Sequence, residues 1–264
     1  MVRDPALTAA ATAAPGLDWR GPLANLASLL GLLLLWQISA ALAGNERLLP
    51  SPATVIGRIG TEWASGELPL SMAITLARVA VSFVIAMAVG IALGILMGAV
   101  RLADRLGQLW LVLFLNLPAL VTIILTYIWI GLTETAAILA VALNKIPNVI
   151  VTIREGTRAL DRSLLEMAAT FRVPRGRILR HVVLPQLQPY LFAAARSGLA
   201  LIWKIVLVVE LLGRSNGVGF QLGVYFQLFD VAGILAYALS FIAVVQVIEW
   251  GVLQPLERRV TQWR

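Results

Sequence analysis

The sequence predicts an all-helical protein that crosses a lipid bilayer several times, and three features carry that reading. Of its 264 residues 59% are hydrophobic and 13% charged, about half the charged share of a soluble domain. The apolar residues gather in runs close to the ~20 residues a helix needs to cross hydrocarbon, and mean hydropathy is +0.87. The basic residues fall mainly in alternate connections between those runs.

Six apolar runs stand out, at roughly 23–43, 72–99, 109–131, 135–153, 188–212 and 231–253. Hydrocarbon offers the backbone no partner, so each run is expected to be a helix. The third and fourth are separated only by Leu132 to Glu134, which predicts a tight helical hairpin. Ala41-Leu42-Ala43 resembles a cleavage site, but the preceding polar tail and the length of the first run favour a span over a signal peptide. The expected organisation is a tail over 1–22, a membrane domain over 23–253 with a large connection at 154–187, and a tail over 254–264.

Lys and Arg number fourteen in the two tails and the 100–108 and 154–187 connections, against three in the other connections. Positive residues stay inside, so both termini are expected in the cytoplasm. The same placement accounts for the net charge of +7 without nucleic acid. With no cysteine and the single histidine His181, the chain offers no thiolate or metal cluster and no nucleophile–base pair, so neither a metal site nor a catalytic residue is expected.

Gly90, Gly94 and Gly98 repeat every four residues and line one face of the second span. Such a stripe lets another helix backbone approach closely, either within the subunit or across a dimer seam.

The 154–187 connection is the most informative stretch. Ser163 with Glu166 three residues later fits a capping box. Leu160, Leu164, Ala168 and Phe171 fall on one helical face, and Arg158, Arg162 and Glu166 on the other. Pro174 disfavours helix at Val173, and a second short helix is expected from about Arg175 to Val183, ahead of Pro185. A loop that served orientation alone would need neither a cap nor an apolar face.

Glu166-Met167-Ala168-Ala169 followed by Val182-Val183-Leu184-Pro185 resembles the EAA loop of binding-protein-dependent ABC importer permeases. Leu48-Leu49-Pro50-Ser51-Pro52, Leu256-Glu257-Arg258-Arg259 and Trp263-Arg264 are similar to the nitrate/sulfonate/taurine branch. The resemblance implies a type I importer permease fold of about six transmembrane helices, with a cytoplasmic coupling loop between spans four and five. It also implies the partners: two copies of an ATP-binding subunit that holds ATP and magnesium, a second permease subunit, identical (a homodimer) or homologous, and a periplasmic solute-binding protein. The chain itself would bind no cofactor, consistent with the absence of a G-x-x-x-x-G-K-[ST] phosphate loop. Glu166, Ala168, Ala169, Leu184 and Pro185 match the family pattern, and Met167 replaces its first alanine. Arg172 stands where the family has glycine; a left-handed turn there costs arginine about 1–2 kcal/mol, so Val173-Pro174 is expected to make the bend.

Six ionisable residues fall inside the runs: Arg78, Lys145, Arg196, Lys204, Glu210 and Glu249. Arg78, Glu210 and Glu249 lie near span ends, where snorkelling to the interface suffices. Lys145, Arg196 and Lys204 lie deeper and are candidates for a solute pathway, with Trp203 beside them; the alternatives are internal pairing, such as Lys204 with Glu210, and ordinary packing for Trp203. Four cations against two acids suggest an anionic cargo such as a sulfonate, taurine or nitrate. A gradient-driven carrier or channel is the alternative reading.

Overall fold

The computed structural model describes residues 20–255. The tails before Arg20 and after Pro255 lie outside the described residues, and with them the Leu256-Glu257-Arg258-Arg259 and Trp263-Arg264 motifs. The helices are α1 (Arg20–Ala43), α2 (Pro52–Ala64), α3 (Glu67–Ala99), α4 (Arg101–Asn116), α5 (Ala119–Ile130), α6 (Glu134–Arg158), α7 (Arg162–Thr170), α8 (Arg175–Ile178), α9 (Leu184–Gly213), α10 (Val218–Gln227) and α11 (Val231–Ile248). Two π-helical turns, Leu179–Val183 and Glu249–Leu253, join α8 to α9 and extend α11.

Among the described residues, five stretches are long and apolar enough to cross a membrane: Leu23–Ala43, Glu67–Ala99, Glu134–Arg158, Gly176–Gly213 and Val231–Gly251. The sixth expected span, at 109–131, is not a single rod. It consists of α4 and α5, bent by 100° where they meet. Pro118 disfavours helix in the residue before it, and Leu117 and Pro118 are both extended, with ψ of 122° and 133°.

The connection before α9 also differs from expectation. Pro185 does not separate a short helix from the fifth span. Leu184 N–H donates to Leu179 O in a π-turn, and the helix runs on through Pro185. Proline within an α-helix removes a hydrogen bond and crowds the preceding turn; the wider π-turn just before it makes the room.

α6 lies at the centre, packed against α3 on one side and α9 on another. α3 and α6 run parallel, and a Cβ placed on Gly90, Gly94 or Gly98 would come within 2.5 Å of Val149, 2.7 Å of Ile153 and 2.5 Å of Thr157. The glycine stripe therefore faces α6 of the same chain. Gly156 plays the reciprocal role on α6, where an added Cβ would come within 2.5 Å of the Tyr190 ring on α9.

One end of the bundle is tied by buried charges. Arg78 of α3, its side chain 3% exposed, donates to Glu210 of α9 at 2.6 Å and to both oxygens of Glu134 at 2.5 and 2.9 Å. It also bonds the Asn216 carbonyl at 2.9 Å and the Asn216 side-chain oxygen. Glu210 is fully buried and accepts from Thr75 Oγ1 at 2.9 Å and Gly219 N–H at 2.8 Å. Thr75 Oγ1 in turn accepts from Val218 N–H at 2.9 Å. Arg78 and Glu210 thus do not snorkel. They pair with each other because the Gly213–Gly217 connection folds back over them, an arrangement that span edges alone do not reveal.

At the same end α2 is capped by Ser51, whose Oγ accepts from Thr54 N–H at 3.2 Å, with Pro52 in the first turn. Proline at the first helical position lacks only an N–H that would be unpaired anyway. The Leu48–Pro52 motif is therefore a helix start. α1 is almost wholly exposed and meets this region through Trp36 Nε1–H donating to Pro50 O at 3.0 Å.

Gly94→Ala should lower the thermal midpoint of the purified protein, because its Cβ would lie 2.7 Å from Ile153 and 3.1 Å from the Ile150 carbonyl; overpacking of this kind costs about 1–3 kcal/mol. Gly31→Ala, with nothing within 4 Å, should leave the midpoint unchanged or raise it. Equal effects at the two sites would mean that the α3–α6 contact is looser than described.

Candidate coupling loop and translocation site

α7 and α8 project from the end opposite the Arg78 cluster. α7 starts at Asp161, not at Ser163. The Asp161 carboxylate accepts from Ser163 N–H at 2.8 Å and from Ser163 Oγ–H at 2.6 Å. These bonds, the hydroxyl's first, hold Asp161 below the usual carboxylate range. Asp and Ser are comparable N-caps, and the Glu166 spacing drew the sequence reading to the wrong one. Asp161 N–H also donates to Gln186 Oε1 at 2.8 Å, fastening the start of α7 to α9.

α7 ends in a Schellman motif. Val173 N–H bonds Ala168 O at 2.9 Å and Arg172 N–H bonds Ala169 O at 3.0 Å, the paired pattern that closes a helix through one left-handed residue. That residue is Arg172, at φ +51°. Val173-Pro174 does not make the bend instead. Arginine adopts the glycine conformation, because both closing bonds require it at this position.

The motif residues present a surface. Glu166, Met167 and Ala169 are exposed and Ala168 is buried. Leu164, Met167 and Phe171 are 38%, 53% and 75% exposed, so the apolar side of α7 is left uncovered by its own chain. Leu184 and Pro185 are exposed as well.

The four candidate pathway residues do not come together. Lys204 and Arg196 lie on the exposed side of α9, near Leu201, Val208 and Leu211. Lys145 is 2% exposed and points into the interior, against Gly198 of α9 and Phe83 of α3. Trp203 is 8% exposed and meets the Phe241 ring edge-on, with centroids 6.0 Å apart. Arg196 pairs with Glu249 at 3.7 Å. Glu210 is taken by Arg78, so the suggested Lys204–Glu210 pair does not form. Among the described residues, Lys145 and Lys204 meet no carboxylate.

Residues that the sequence reading passed over complete the picture. Asp104 of α4 bonds Arg158 at 2.6 Å and Arg154 at 3.4 Å, tying α4 to the last turns of α6. Glu134 and Arg214 belong to the Arg78 cluster, 2.9 Å from each other. Each lies in or beside a short connection, where hydrophobic periodicity carries no signal about partners.

Comparison with known proteins bears on what this arrangement is. The profile described as "Binding-protein-dependent transport system inner membrane component" matches residues 90–261. The putative aliphatic sulfonates transport permease protein SsuC of Escherichia coli (strain K12) is 36% identical over 191 residues, covering 72% of this chain and 73% of that protein. The riboflavin transport system permease protein RibX of Chloroflexus aurantiacus is 32% identical, covering 89% of this chain and 88% of its own length. In fold, the chain is similar to the inward-facing MetNI methionine ABC transporter, with TM-score 0.60 at 19% identity over 70% of this chain and 92% of that one. The matched region contains α6, α9 and the whole α7–α8 loop. The chain belongs to the binding-protein-dependent ABC importer permeases, multi-pass inner-membrane subunits, in the branch that includes the sulfonate and taurine permeases.

If the left-handed turn strains Arg172, Arg172→Gly should stabilise the end of α7 by about 0.5–1 kcal/mol, the left-handed penalty less the extra chain entropy of glycine. The Val173 amide should then exchange about two- to five-fold more slowly, since 1.4 kcal/mol is a factor of ten. Unchanged or faster exchange would show that the turn is not strained.

Proposed function

We propose that this chain forms, with a second identical copy, the transmembrane pathway of an importer driven by a separate ATPase, and that α7 and α8 are the elements the ATPase grips. The uncovered apolar side of α7 carries this reading. Leu164, Met167 and Phe171 stand exposed on a helix that is capped at both ends and fastened to α9. A helix held this rigidly, with its apolar side unpartnered, suits an obligate protein contact better than a solvated loop. Glu166 and Ala169 are exposed on the side of α7 away from this patch, and Arg172 is exposed just beyond the end of the helix. The loop end is cytoplasmic by its basic residues, which places both termini inside.

The cargo is a small anion, with an aliphatic sulfonate the first candidate, as the name of the 36% identical SsuC relative suggests. Arg78 is neutralised by Glu210 and Glu134, and Arg196 meets Glu249, whereas Lys145 and Lys204 meet no carboxylate among the described residues. Uncompensated cations within a membrane domain favour a negative solute. Lys204 and Arg196, on the exposed side of α9, would border the pathway between two copies. Lys145 would act from behind α9, and Trp203 would hold α9 against α11.

The test is uptake of an anionic alkanesulfonate, ethanesulfonate, into vesicles that contain the permease, its ATPase and its binding protein. Glu166→Lys should abolish ATP-driven uptake while the permease still inserts and folds. Undiminished uptake by Glu166→Lys, or uptake by the permease alone, would contradict the coupling role and favour a gradient-driven carrier.

A further inference from the structure

α4 is largely exposed. Leu111 is its one residue assigned to the buried core among those described, packed with Met97 of α3 and Ile150 of α6, and a cleft of about 300 Å³ opens beside this contact. The cleft wall is almost wholly apolar, built from Gly107, Trp110 and Phe114 of α4, Leu96 of α3, and Ile146 and Ile150 of α6. At one end α4 hinges on the 100° bend at Leu117-Pro118. At the other it follows α3 through the single residue Val100 and is held to α6 by charge. Asp104 bonds Arg158 at 2.6 Å and Arg154 at 3.4 Å, Gln108 accepts from Arg154, and Glu155 meets both arginines at 3.2–3.3 Å. Arg154 and Arg158 form the last turn of α6, and α7 begins four residues beyond Arg158.

We propose that Asp104 is a positioning residue that makes α4 follow the coupling loop. It rests on the reading of α7 and α8 as the ATPase contact. A displacement of the loop moves the end of α6, and the Asp104 bridge carries α4 with it. Joined to α3 at Val100, bent away from α5 at Pro118, and bordering an apolar cleft that contains no polar partner to be broken, α4 shifts as a unit about these two joints. α5, at the far side of the hinge, is anchored by Tyr127 O–H to Val209 O at 2.9 Å. The cleft leaves room for this motion beside the Leu111–Met97–Ile150 contact.

The chain contains no cysteine, so introduced pairs can be spin-labelled without background. In the reconstituted complex with its ATPase, Val84→Cys and Leu109→Cys, at exposed positions on α3 and α4, report the arm. Val84→Cys with Gly176→Cys reports the loop. Both distances should change between the nucleotide-free and ATP–vanadate-trapped states. In Asp104→Asn the loop distance should still change and the arm distance should not, and Asp104→Glu should restore the arm response. The melting temperature, followed alongside, should be near wild type in both variants. An arm that responds equally in Asp104→Asn, or that never responds while the loop does, overturns the proposal. A loop that does not respond overturns the coupling reading and this inference together.

Discussion

The ion pair between Arg78 and Glu210 fixes the register of the whole bundle. A charge buried without a partner is strongly destabilising, so this arginine and this carboxylate must meet wherever the helices settle. Their meeting aligns α3 with α9, and through Glu134 and Asn216 it draws in the start of α6 and the connection before α10. A buried pair need not add net stability. Its use here is to exclude other alignments of helices that are otherwise largely apolar. The glycine stripe of α3 then sets how closely α6 can lie once the register is fixed.

The two ends of the molecule are therefore built differently. At the Arg78 end, connections are short, polar groups are paired and α2 is capped onto the bundle. At the opposite end α7 is rigid internally, through Asp161 and the Arg172 turn, yet Leu164, Met167 and Phe171 on its apolar side stand exposed. A bundle clamped at one end and presenting a stiff, unsatisfied element at the other is suited to take up a push from outside the membrane and turn it into helix movement.

How much of this was legible in the sequence depended on the range of the interaction. Periodicity and hydropathy respond to lipid, so the spans emerged, as did α7 with its amphipathic face. Local chemistry was half legible: Pro118 was visible, but hydropathy cannot register a bend, and Asp161 lost the cap to Ser163 because the Glu166 spacing fitted a known box. The glycine template suggested that Arg172 would avoid a left-handed turn, whereas the two closing bonds of α7 impose it. Long-range pairs were not legible. Arg78 and Glu210 are separated by more than a hundred residues, and nothing in either neighbourhood marks the other. For the same reason Lys145 and Lys204, both deep in their spans, could not be assigned to opposite sides of α9.

The central claim is that the α7–α8 loop is where a separate ATPase seats. Single cysteines placed along the chain, probed with a membrane-impermeant thiol reagent with and without the ATPase subunit, test it most directly. Protection by the ATPase should be confined to exposed positions of the loop, Glu166, Ala169 and Phe171 among them, and absent at Trp63 and Phe229 near the opposite end. Protection at Trp63 or Phe229 with the loop left fully reactive would contradict the account.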